Sequence, residues 1–153
     1  MDDPPGSSAG STTHLVRPVL RQVVLDATDA RAVAEFYREL LGWDYREGDE
    51  APSPGRPDPL GADWLVLRAP GGGVSVAFQQ VETLPASTWP RDEVPQQLHL
   101  DMTVSTLEDL DACHRRALAL GAREVLDRTD DPEEPLRVYA DPAGHPFCIF
   151  VAA

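Results

Sequence analysis

The stretch VVLDATDARAVAEFYRELLGW, residues 23–43, reads as one strand followed by one helix. Its first residues alternate and are β-branched, as a half-buried strand requires. Asp29 then stands where a helix N-cap belongs. Val33, Phe36, Tyr37 and Leu40 recur at i, i+3, i+4 and i+7, which is one helical face. Gly42 is placed to end the helix in the left-handed conformation. Extended backward, the strand covers VLRQVVLDAT (19–28).

Downstream, WDYREGDE (43–50), DWLVLRAP (63–70) and VSVAFQQV (74–81) read as three strands. A polar Pro/Gly loop (50–61) and the turn GGG (71–73) separate them. ETLPASTWPRDEVPQ (82–96) holds three prolines and no periodicity, and reads as a linker. The pattern then returns. LHLDMTV (98–104) is a strand. Ser105 with Glu108 forms a capping box. Leu107, Leu110, His114, Ala117 and Leu118 mark a helical stripe that Gly121 closes. AREVLDRTDD (122–131), LRVYADP (136–142) and HPFCIFVA (145–152) complete three more strands, with the turn DPAGH before the last.

The order strand-helix-strand-strand-strand therefore occurs twice. Gln22 falls over His99, Ala77 over Cys148, and GGGVSVAF over AGHPFCIF. An internal repeat of this kind predicts an α+β domain of two tandem βαβββ modules sharing one sheet system. Module one spans about 18–81, the linker about 82–96 and module two about 97–153. Residues 1–17, rich in Gly, Ser, Thr and Pro and including His14, are expected to be a disordered tail.

Composition limits function. The net charge is −13, which disfavours nucleic acid and anionic membranes as partners. All 13 basic residues are Arg. Without Lys there is no Schiff-base amine and no phosphate-binding loop of the GxxxxGK[ST] kind. No apolar run is long enough to span a membrane and the N-terminus has no signal-peptide pattern, so a cytoplasmic location is expected. Cys113 and Cys148 fit buried thiols better than a disulfide.

Three stretches carry a family likeness. VVLDATDARAVAEFYRELLGW and HLDMTVSTLEDLDACHRRALALGAR (99–123) resemble the two βα units of the vicinal oxygen chelate superfamily, the glyoxalase, bleomycin-resistance and dioxygenase group. ADPAGHPFCIFV (140–151) resembles its closing hairpin, DPxGNxxEL or DPxGHxxEI. The resemblance covers about residues 19–152 and implies two βαβββ modules curled around a shared cup. In metal-dependent members the modules supply ligands at four positions. Here these carry Gln22, Ala77, His99 and Cys148, leaving Gln22 and His99 as the metal ligands if a metal is bound. A hard divalent ion usually wants at least one carboxylate.

The resemblance therefore implies a protein that binds a small organic ligand, in the manner of the resistance proteins, with no cofactor. A metal-dependent lyase, isomerase or dioxygenase using zinc, manganese, iron or nickel is the first alternative. A metal-free enzyme using His99 with Asp26 or Asp101 is the second. Strand alternation puts Asp101 on the face of His99, and Val24 and Asp26 on the face of Gln22. The two carboxylates either do acid–base work or satisfy backbone donors at strand ends. Trp64 and Trp89 either stack on a flat ligand or, like Trp43, pack in the core and pin the linker. His114, Cys113 and His145 read as packing and turn residues. A homodimer is expected by analogy.

Overall fold

A computed structural model describes residues 17–152. The tail expected at the N-terminus, with His14, lies outside them apart from Arg17. The elements are β1 (Gln22–Ala27), α1 (Ala30–Leu41), β2 (Asp44–Tyr45), β3 (Trp64–Arg68), β4 (Ser75–Gln80), β5 (Leu100–Val104), α2 (Leu107–Ala119), β6 (Arg123–Arg128), β7 (Leu136–Ala140) and β8 (Pro146–Val151). A 3-10 turn at Pro70–Gly72 joins β3 to β4. They form two four-stranded sheets, β1-β4-β3-β2 and β5-β8-β7-β6. In each, the first strand of the module runs parallel to the last, and the remaining pairs are antiparallel. The chain is therefore the α+β fold of two tandem βαβββ modules that the repeat foretells.

Local chemistry sets the element ends. The Asp29 side chain accepts from the Ala32 amide, and Gly42 takes the left-handed conformation at φ 66°. Three boundaries differ from the sequence reading. The cap of α2 is Thr106, not Ser105. Its hydroxyl accepts from the Asp109 amide at 3.1 Å and donates to the Asp109 carboxylate at 2.7 Å, so the box partner is Asp109 and not Glu108. The first strand begins at Gln22 because its ladder starts opposite Ser75, just after the GGG turn. The second strand shrinks to two residues. After Arg46 the chain turns at Gly48 (φ 92°), and Asp49 folds back beneath the sheet. There Asp49, buried, accepts from the Val66 amide and pairs with Arg46, both at 2.9 Å.

One face of each sheet packs on its helix, and the modules share a core. Tyr37 stacks on Phe78 of its own module (centroids 5.7 Å) and meets Phe147 of the other edge-on (6.1 Å). Phe36 also reaches Phe147 at 5.8 Å, and Phe147 stacks on Tyr139 at 5.1 Å. Such pairs contribute about 0.5–1.5 kcal/mol each beyond area burial. The Tyr37 hydroxyl donates to the buried Asp141 carboxylate at 2.9 Å, a polar tie across the same seam. Trp43 packs against this core. Helix-facing positions are thereby consumed, and the opposite face of each sheet is left for function.

Candidate functional site

The helix-free face of module two is built by strand alternation. On β8, Pro146, Cys148 and Phe150 point the same way. Register then places Asp101 and Val138 beside Cys148, Leu136 beside Phe150, and Leu126 and Arg128 one strand further out. His99 precedes β5, Glu134 comes from the β6–β7 loop, and the linker adds Trp89 and Gln96. Together they enclose a groove of about 310 Å³.

Its floor is apolar and its mouth polar. The His99 Nε2 lies 3.3 Å from the Asp101 carboxylate, both side chains about half exposed (47% and 57%). Arg128 lines the groove and is paired with Asp131, which does not line it. Asp101, Glu134 and the paired Arg128 therefore all line the groove. Burial pushes the Cys148 thiol up to about 11, with the carboxylates of Asp101 and Glu134 adding to the rise. The sulfur is accordingly a neutral thiol near pH 7, an apolar wall with a weak donor.

The linker is tied in place. The Thr88 amide donates to the Val94 carbonyl and the Val94 amide to the Thr88 hydroxyl, both at 2.9 Å, and the Trp89 amide donates to the Ser87 hydroxyl at 3.2 Å. The Trp89–Pro90 peptide is cis. Beneath the linker, Gly144 (φ 92°) sits so close to Ala86 that an added Cβ would lie 2.4 Å from the Ala86 Cβ.

The residues singled out from sequence do not all meet. His99, Asp101, Cys148 and Trp89 share the module-two groove. Gln22 lines a separate groove on module one. Asp26 lines a third hollow, under the linker, where its backbone carbonyl accepts from the His145 ring at 2.6 Å. Asp26 and Asp101 thus line neighbouring hollows that share Gln96 and Pro146. Ala77 is fully buried and lines none of these cavities, and neither does Trp64 on β3. His114 bonds the Tyr139 hydroxyl (3.2 Å) and Glu124 (3.3 Å) on α2, away from the groove. Among the described residues, no three His, Cys, Asp or Glu side chains gather as metal ligands would.

Sequence reading missed Leu126, Arg128, Glu134, Leu136, Val138 and Phe150. The signal was present, since period-two alternation from Cys148 selects Phe150, and cross-strand pairing selects the rest. Pairing register could not be read from the chain alone.

Residues 22–150 match the family described as Glyoxalase-like domain. No curated protein matches. Several solved structures share the fold. A glyoxalase/bleomycin resistance protein/dioxygenase family enzyme from Burkholderia phytofirmans superposes with a TM-score of 0.63 at 19% identity, covering 88% of this chain and 98% of its own. A fosfomycin resistance protein from Mesorhizobium loti gives 0.60 at 13%, covering 91% and 95%. A lactoylglutathione lyase from Agrobacterium tumefaciens gives 0.55 at 16%, covering 89% and 95%. At these identities the likeness concerns architecture and leaves the chemistry to the site.

Proposed function

The chain belongs to the glyoxalase-like domain family, and from that premise we propose that it binds a small organic ligand in the module-two groove without a metal, as a sequestering or resistance-type protein. The observation that carries this reading is the groove itself. An apolar floor of Leu126, Leu136, Val138 and Phe150 lies beneath a tethered Trp89, with a few polar groups at one end. Small-molecule sites are concave, mostly apolar and sparingly polar in this way. Flat ligands suit Trp89, and the Asp101 and Glu134 carboxylates favour a ligand carrying positive charge.

Donor chemistry supports the metal-free form. Of the four positions that ligate metal elsewhere in the family, Ala77 offers no donor atom and Cys148 offers sulfur where a hard ion wants a carboxylate oxygen. Gln22 opens onto a different groove from His99. That set does not fit a hard divalent ion. One contact favours a second reading. The His99–Asp101 pair orients an imidazole at the groove mouth, the arrangement a general base needs. A cytoplasmic location and a homodimer complete the proposal, and sedimentation velocity tests the latter.

The direct test is a thermal-shift screen of chelator-treated protein against flat organic cations, repeated with Trp89→Ala. The expected result is stabilisation by at least one compound class that Trp89→Ala reduces by about 1–3 kcal/mol of binding. A screen in which stabilisation appears only after divalent metal is restored would sink the metal-free reading. Turnover of a bound compound that His99→Ala abolishes, while the melting point holds, would select the enzymatic reading instead.

A further inference from the structure

Module one carries a second groove that shares no lining residue with the first. It measures about 910 Å³, within the range that accepts small ligands. Its apolar wall is made by Val19, Leu20, Val66 and Val74, three of which are exposed (89%, 68% and 41% for Val19, Leu20 and Val74). Its polar members include Arg21, Arg46 and Arg68 and not one Asp or Glu.

That is unexpected in a chain of net charge −13. Seven of the 13 guanidiniums form ion pairs, those of Arg31, Arg38, Arg46, Arg91, Arg116, Arg128 and Arg137, whereas Arg17, Arg56, Arg115 and Arg123 form none among the described residues. Arg21 and Arg68 form none among the described residues. Asp44 stands opposite Arg68 in the β2–β3 register yet makes no ion pair with it. Two guanidiniums outside any ion pair thus flank exposed aliphatic side chains on a sheet face that no helix covers. Guanidinium forks recognise carboxylates in bidentate fashion, and the aliphatic wall offers burial at about 25 cal/mol per Å².

We infer that this groove binds an anionic amphiphile, a small carboxylate with an aliphatic body, held by Arg21 and Arg68 along the wall of Val19, Leu20, Val66 and Val74. A bilayer surface is the poorer occupant. Anionic lipid would meet the repulsion of the whole acidic chain, whereas a single carboxylate approaches a locally positive groove. This inference does not depend on the module-two reading.

The test is isothermal titration calorimetry of the full chain with decanoate below its micelle concentration. Decyltrimethylammonium serves as the opposite-charge probe and inorganic phosphate as the anion without a tail. Decanoate is expected to bind, phosphate and decyltrimethylammonium to bind this groove far more weakly. The double variant Arg21→Gln/Arg68→Gln should weaken decanoate about tenfold or more, as loss of charge-assisted bonds implies. Arg115→Gln, an exposed helix arginine remote from the groove, should leave decanoate affinity as it was. Raising salt should weaken decanoate on the unsubstituted chain, a readout that needs no variant to fold. Absence of decanoate binding, or binding indifferent to both the double substitution and salt, overturns the inference. So does equal affinity for decyltrimethylammonium at the same groove.

Discussion

Two residues carry most of the chemistry that can be checked one side chain at a time. Cys148 occupies the place of a metal-ligating carboxylate, and burial holds its thiol protonated up to about 11. Alkylation by iodoacetamide at pH 8, followed by peptide mass spectrometry, should therefore be much slower than for a free thiol and should accelerate as pH approaches that value. Labelling at the rate of glutathione would show an unshifted thiol and contradict the burial argument. Tyr37 is the other. Tyr37→Phe leaves one oxygen of the buried Asp141 without its donor, while the Ala143 and His145 amides still serve the other oxygen. The expected cost is about 1–3 kcal/mol in urea unfolding. Its pH dependence has a definite sign. Burial raises the Asp141 carboxyl in the folded state, so its contribution is present below the unfolded value of about 3.9 and is lost as pH rises through the folded one. Removing the hydroxyl raises that carboxyl further. The cost should thus be larger at pH 7 than at pH 4, and the reverse order would contradict the account.

At the scale of elements, the linker and the β7–β8 turn work as one unit. Gly144 allows the linker to lie directly on the turn, and that seat positions Trp89 over the groove. Gly144→Ala combines a strained positive φ with a clash against Ala86, including its backbone at 2.9 Å. It is expected to cost about 1–3 kcal/mol and to loosen the linker. Limited proteolysis should then cut within residues 82–96 faster than in the unsubstituted chain, and unchanged cutting would show that the linker is held elsewhere. The elements also mark what sequence could tell. Asp29, Gly42 and the twofold strand-helix order were legible because caps and periodicity are local. The α2 cap slipped by one residue because Ser105 and Thr106 offer equivalent hydroxyls, and only backbone geometry chooses between them. The second strand was overestimated because the fold-back of Asp49 onto the Val66 amide is a contact between residues far apart in sequence.

For the whole molecule, the repeat gave the architecture but not how the two helix-free faces divide the work. Sequence alignment put Gln22, Ala77, His99 and Cys148 around one cup. In the fold His99 and Cys148 line one groove, with Asp101, Glu134 and Arg128, while Gln22 lines another that carries Arg21, Arg46 and Arg68. Which residues share a cavity depends on cross-strand register and on the linker path, neither of which is written locally in the chain. The central claim is that the module-two groove works without a metal. Elemental mass spectrometry of tag-free protein, before and after chelator dialysis and paired with a melting curve, tests it most directly. The account predicts metal far below one atom per chain and a melting temperature indifferent to chelator. About one divalent ion per chain, lost together with thermal stability, would contradict it.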